Sequence, residues 1–353
     1  MTAAAISPAR ILRDLDQLWV ELGKGQDADH PSAVLRACAM TLVVATEGEA
    51  AEDDVELGET LAQLMRDHPS RLIVLRLNEN AGEQLDARVV AQCWMPFGRR
   101  QQICCERIEI SGSAGSLAGV PPVLQALTVP DLPVALWCRN RKVADQPAFR
   151  AILSQADKLI VDSAETGSPA AQLAWIHSLL GPDHQVADLA WTRLTRWRES
   201  IAQVFDEPEG LAHIGSIDRV RIGFEGHCAP MASVYLSAWL EKSLGRPLTI
   251  SASCGDPSGR TRVNSVELMG DSICYSIKVG ADRSVQVHGA FREARTLFPR
   301  LGDYELLREE LSVLGPDPIY DAVLALAPGM ARRLEDGHTD PAEAAGHARD
   351  GGN

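Results

Sequence analysis

The sequence predicts an α/β protein (α+β in the wider sense) with two domains, an N-terminal mixed-sheet α/β domain and a C-terminal domain with an antiparallel meander plus helices. Three observations carry this. Short apolar runs at 134–138 and 159–161 flank a helical stretch at 147–155, the βαβ pattern of a parallel sheet. Strand-like runs at 88–97 and 102–111 flank Gly98-Arg99-Arg100, a short turn that makes a hairpin and hence a mixed sheet. Further on, Ile273, Tyr275, Ile277 and Val279 alternate with Cys274, Ser276 and Lys278, as in an antiparallel strand with one buried face.

Taken in order, Ile11, Leu15, Leu18, Trp19 and Leu22 form one apolar stripe of a helix whose other face is polar. Residues 38–45 are continuously apolar and read as a buried strand. Val55, Leu57, Leu61, Leu64 and Met65 predict a helix over 53–67, stopped by Pro69, and the β-branched run 71–77 follows as a strand. Residues 111–127 open with glycines and serines and continue as a helix. The small polar cluster at 165–169 marks a domain boundary, giving domains 1–166 and 167–335 and a disordered tail at 336–353. Residues 173–180 resume a helix, and Ala190, Leu194, Trp197, Ile201, Val204 and Phe205 make a second amphipathic stripe. Val220, Ile222 and Phe224 read as a half-buried strand, and a helix over 232–244 ends at Gly245. Strands at 263–268, 273–279 and 285–288 build the meander, and helices at 303–314 and 319–334 close the fold.

At 353 residues and 45% hydrophobic composition the chain buries a sizeable core, and no apolar run approaches the roughly 20 residues of a membrane span. The first ten residues have no basic start followed by an apolar block, so the expected location is cytoplasmic. A net charge of −14 argues against nucleic acid and anionic membrane as partners, since both are bound by clustered Lys and Arg. The eight cysteines (Cys38, Cys93, Cys104, Cys105, Cys138, Cys228, Cys254 and Cys274) are scattered in apolar segments and read as buried free thiols. No CxxC occurs and no structural metal is expected.

Candidate chemistry is sparse, and the sequence predicts no catalytic residue, no cofactor site and no metal site. The loop Ser111-Gly112-Ser113-Ala114-Gly115-Ser116 lies between a strand and a helix, where free amides hold phosphate, but it matches neither GxGxxG nor the P-loop and reads as a helix-capping connection. In His68-Pro69-Ser70-Arg71 the imidazole caps a helix end, while Arg71 offers anion or partner recognition. Adjacent Cys104 and Cys105 point to opposite faces of a strand, and consecutive His227 and Cys228 do not orient as a base and nucleophile. Trp19 and Trp239 belong to helix stripes. Trp191 and Trp197 alternate with Arg193, Arg196 and Arg198, residue types that anchor protein interfaces.

Several stretches together resemble the OpcA family of glucose-6-phosphate dehydrogenase assembly proteins: His68-Pro69-Ser70-Arg71, Val129 to Val134 running into Leu136-Trp137, Ala156 to Ser163, Asp188 to Glu199, and the helix with Ala238-Trp239-Leu240. They occur in the family's order over residues 10–245, and beyond 249 the likeness is a β-rich segment in the expected place. The resemblance implies a two-domain, non-catalytic partner of glucose-6-phosphate dehydrogenase that promotes its active oligomer, acts as an allosteric activator and supports NADPH supply through the oxidative pentose phosphate pathway. It gives His68, Arg71, Asp131, Trp137, Asp162, Trp191, Arg193 and Arg198 as signature positions, structural or in contact with the partner, without itself naming an interface; the Trp and Arg residue types place contact first on Trp191, Arg193 and Arg198. Redox control through cysteines toward the C-terminus is not carried over, because no cysteine follows Cys274. The competing readings are an enzyme or binding protein for a phosphorylated sugar, using the 111–116 loop and Arg71, and a thiol-based redox sensor.

Overall fold

The computed structural model describes residues 7–24, 34–48, 51–78, 85–95, 102–164, 167–206, 208–226, 229–256, 262–270, 273–289 and 293–336. The expected turn at Gly98, the His227-Cys228 pair and the tail after 336 lie outside them. The chain opens with α1 (Pro8–Lys24), β1 (Val34–Arg36), β2 (Met40–Glu47), α2 (Ala51–Asp67), β3 (Ser70–Leu77), β4 (Asp86–Trp94) and β5 (Gln102–Gly112). A 3₁₀ turn, Ala114–Gly119, leads into α3 (Val120–Leu127), β6 (Val134–Cys138), α4 (Arg141–Ala144), α5 (Phe149–Leu153), β7 (Lys158–Val161), α6 (Pro169–Leu179) and β8 (Gln185–Asp188). Then come α7 (Leu189–Thr192), α8 (Thr195–Gln203), α9 (Pro208–His213), β9 (Arg219–Glu225), α10 (Met231–Leu244), β10 (Thr249–Asp256) and β11 (Arg262–Met269). The last elements are β12 (Cys274–Val279), β13 (Ser284–His288), β14 (Glu293–Leu297), α11 (Asp303–Leu311) and α12 (Pro318–Asp336).

Two compact units result. The first contains Met1–Asp162, Leu180–Ala187 and Gly302–Gly315, and the second contains Ser163–Leu179, Asp188–Leu301 and Pro316–Asn353. In the first unit the sheet order is β1-β5-β3-β2-β6-β7-β8, with β4 antiparallel on β5. Strand β2 pairs in parallel with β3 and with β6. Chain order runs one way from β2 through β3 to β5 and the other way from β2 through β6 to β8. The reversal falls between β2 and β6, and such a switch point is where doubly wound sheets open a crevice at their strand carboxyl ends. The near-continuous apolar runs at β2 and β3 are buried on both faces, as central parallel strands must be, whereas edge strand β4 alternates in exposure. Helix α2 buries Leu57, Leu61, Leu64 and Met65, but Val55 is 62% exposed and lies off the expected stripe.

In the second unit the sheet order is β10-β9-β11-β12-β13-β14. Its first pair is parallel, because α10 separates β9 from β10 and returns the chain to the same end, so the antiparallel meander runs only from β11 to β14. Gly245 ends α10 at φ 65°, a left-handed conformation that glycine adopts without a Cβ clash. Helices α10 and α12 pack together, and α6 packs on both. The stripe over 190–205 is not one helix. It breaks into α7 and α8 where Leu194 N bonds Trp191 O rather than the carbonyl four residues back.

Candidate functional site

At the switch point the carboxyl ends of β2 and β6 are bridged by the chain's own side chains. Glu47 accepts hydrogen bonds from Asn140 Nδ2 at 2.7 Å and Lys142 Nζ at 2.8 Å. The Arg139 guanidinium lies 5.2 Å from the ring centroid of Trp137, which is only 2% exposed, and its Nη2 is 3.7 Å from Asp303. The 111–116 loop is likewise self-satisfied: Ser116 N and Oγ both bond Ser113 O, at 3.0 and 2.8 Å, as the turn leads into α3.

The His68 to Arg71 motif is turned inward within the first unit. His68 N bonds Leu64 O at 2.7 Å, closing α2, and its Nε2 is 3.0 Å from Arg308 O. Arg71 is 8% exposed; its Nε donates to Glu106 Oε2 at 2.6 Å and its Nη1 to Leu127 O at 2.7 Å. Glu106 also pairs with Arg36 and accepts from Trp19 Nε1 at 2.6 Å. Two guanidinium groups and an indole thus hold one buried carboxylate, so the fork of Arg71 is spent on internal bonds rather than presented as an anion site. Asp131 is exposed and adopts φ 64°, the turn conformation that aspartate tolerates better than most residues.

In the second unit the site is built around Asp188, which is wholly buried. Its Oδ1 accepts from Ser163 N at 3.0 Å and Ala190 N at 2.9 Å; its Oδ2 accepts from Ser163 Oγ at 2.5 Å and Tyr235 Oη at 2.8 Å. Capping of α7 by Asp188 thereby also ties in Ser163, two residues past β7, and a side chain of α10. Burial, and then the adjacent Asp188 charge, push the Tyr235 phenol well above its ordinary pKa, so it remains a neutral donor. Tyr235 Oη is 3.3 Å from Tyr320 Oη. Trp191 packs against both tyrosines, with centroids 6.3 and 5.8 Å away, and donates Nε1 to Asp317 at 3.1 Å. Arg198 covers its other flank at 3.7 Å from the ring centroid. At 3% exposure Trp191 is a core residue, which corrects the expectation that its ring makes surface contact; alternation of Trp and Arg along a sequence does not distinguish an interface from an internal stack.

The cysteines also depart from expectation. Cys93 and Cys104 are disulfide-bonded across β4 and β5, because their positions face each other in the register. Among the described residues Cys38, Cys105, Cys138, Cys254 and Cys274 are free, and Cys274 is exposed rather than buried. Burial raises the Cys105 thiol to about 11 and the Cys138 thiol to about 12, so both stay protonated at neutral pH.

Two sequence models match, one over each half: the glucose-6-phosphate dehydrogenase subunit N-terminal domain at residues 62–178 and the corresponding C-terminal domain at 184–324. The chain belongs to the OpcA family. An OxPP cycle protein OpcA of Synechocystis sp. is 32% identical over 180 residues, which are 50% of this chain and 37% of that one. The Nostoc punctiforme protein of the same name is 31% identical over 193 residues, 54% of this chain and 41% of its own. The matches thus span less than half the length of these relatives. Among solved structures, a Gfo/Idh/MocA family oxidoreductase from Vibrio cholerae aligns over 87% of this chain and 99% of its own, at 12% identity and TM-score 0.41. A dehydrogenase from Chromobacterium violaceum aligns over 88% and 98%, at 9% identity and TM-score 0.44.

The structure brings together three of the stretches that carry the OpcA resemblance: Ser163, Asp188 with Trp191, and the α10 helix through Tyr235 all meet at one carboxylate. The hub residues Ser163, Asp188, Tyr235, Asp317 and Tyr320, and Glu106 in the first unit, were not singled out by sequence reasoning. Asp188 carried a usable sign, since an aspartate directly before an apolar helical run is a helix cap. Asp162 and Arg193 are partly exposed.

Proposed function

We propose that this OpcA-family chain is a non-catalytic assembly factor and allosteric activator of glucose-6-phosphate dehydrogenase, acting in the cytoplasm to promote the enzyme's active oligomer and so sustain NADPH supply from the oxidative pentose phosphate pathway. The match of both halves to domains named for a glucose-6-phosphate dehydrogenase subunit carries this reading. The geometry supports it too: the switch-point crevice is bridged by Glu47, Asn140 and Lys142, and the signature guanidinium of Arg71 is committed internally. Activation then requires only linkage: a protein that binds the active assembly more tightly than the inactive one shifts the equilibrium by that difference. Asp131, which is exposed, and His68, Asp162, Arg193 and Arg198, which are partly exposed, carry the contact, while Arg71, Trp137 and Trp191 act by holding the fold.

The test is activity and oligomer size of the cognate dehydrogenase across a concentration series of this protein. Saturable activation with a co-eluting complex is expected; no binding and no activation overturns the proposal. Arg193→Ala should weaken the complex, read as a shift of the activation curve to higher concentrations of this protein.

A further inference from the structure

In the first unit the Cys93–Cys104 bridge ties edge strand β4 to β5, with Cα atoms 4.1 Å apart. The register sets Cys93 opposite Cys104 and Ala91 opposite Glu106. Because strand side chains alternate, Cys104 and Glu106 share a face, two residues apart on β5. That face meets α1: Trp19 of α1 donates to Glu106, Arg36 stacks 5.3 Å from the Trp19 centroid, and α1 packs on β4. The bridge therefore lies next to the same cluster that anchors α1, and it is the covalent tie of the outermost strand. Cys104 is wholly buried, whereas Cys93 is partly exposed and is the sulfur that an incoming thiolate reaches.

We propose that Cys93–Cys104 is a reducible clamp that sets the stability of the α1–β4 edge of the first unit and is opened by a dithiol reductant. A thiolate of the reductant attacks Cys93 Sγ and breaks the S–S bond, and Cys104 leaves as a thiolate that takes a proton. The reductant's second thiol then displaces Cys93 from the mixed disulfide. Two electrons and two protons have passed to the pair, and the reductant departs as its own disulfide; a disulfide oxidant closes the clamp by the reverse exchange. In the open state the ladder hydrogen bonds of β4 remain, but the strand and the helix packed on it lose their covalent anchor. Cys105 takes no part, since it points to the opposite face and its thiol is buried.

The experiment uses the full chain, alone, with dithiothreitol as the dithiol. Denatured in urea before reduction, the air-exposed protein should keep Cys93 and Cys104 unmodified by iodoacetamide; denatured after reduction, both should be alkylated. Amide exchange in 8–24 and 86–94 should then rise by roughly tenfold or more, while 219–225 and 274–279 stay unchanged. Alkylation of both thiols without prior reduction, or reduction with no change in exchange at 8–24 and 86–94, overturns the proposal. Cys93→Ser should exchange like the reduced protein, and if it does not fold the reduction series alone decides. The outcome is independent of whether the protein activates the dehydrogenase.

Discussion

Glu106 in the first unit and Asp188 in the second are both buried carboxylates, 3% and 0% exposed, yet their environments satisfy them by opposite means. Glu106 is held by charge: two guanidinium groups from β1 and β3, with the Trp19 indole added. Asp188 is held by dipoles: two peptide N–H groups, a serine hydroxyl and a tyrosine hydroxyl. The first arrangement joins four distant parts of the chain through charged side chains and is sensitive to loss of any one, because a buried charge is left behind. The second spreads its bonds over neutral donors, so single donors are dispensable while the acceptor is not.

The largest expected effect is therefore Asp188→Ala, which strands a buried hydroxyl pair and two N–H groups together and should cost about 4 kcal/mol in urea unfolding. Arg71→Met should cost about 3 kcal/mol, because only Arg36 is left to balance Glu106; adding Glu106→Gln should recover part of that loss, whereas independent sites would show additive losses. Tyr235→Phe should cost only about 1.5 kcal/mol, since it removes one donor of four. A cost for Tyr235→Phe exceeding that for Arg71→Met would break the contrast between charged and neutral support.

The smallest effect concerns a third carboxylate, Glu109. Burial raises its pKa, but the Arg88 hydrogen bond and the positive charges of Arg107, Arg88 and Arg76 outweigh burial and hold it below the ordinary value. A depressed folded-state pKa contributes stability that is present above the unfolded pKa and lost as pH falls through the folded one. The urea midpoint should thus drop on acidification below about pH 4, in the range where a free glutamate already protonates, and Glu109→Gln should flatten that drop.

The fold was legible where periodicity and chemistry agreed. The apolar runs of β2 and β3, the stripe of α2 apart from Val55, and Gly245 after α10 each had one physical reading and took it. Short or shared elements were not legible: β8 has four residues, β14 presents exposed Arg295, Thr296 and Leu297, and the 190–205 stripe kept helical spacing through a break. The candidate site was harder still. Asp188, Ser163 and Tyr235 are distant in sequence, and hydrogen bonds between distant residues leave no periodic trace. The Cys93–Cys104 pairing was hidden for the same reason, since it depends on the hairpin register rather than on spacing.

Unit 1 is not contiguous in sequence, for it includes Leu180–Ala187 and Gly302–Gly315 as well as everything up to Asp162. A ribosome emits the chain from one end, so the nascent first unit waits for a strand and then for a helix that is translated after most of the second, though before its last helix α12. Lys158 has its carbonyl partners at Glu310 and Val313, and His68 its partner at Arg308, only once that late helix arrives. Synthesis of the second unit up to Leu301 thereby becomes a prerequisite for completing the first, and a shortened product ending at the first boundary would lack a strand of its own sheet and the partners of Lys158 and His68.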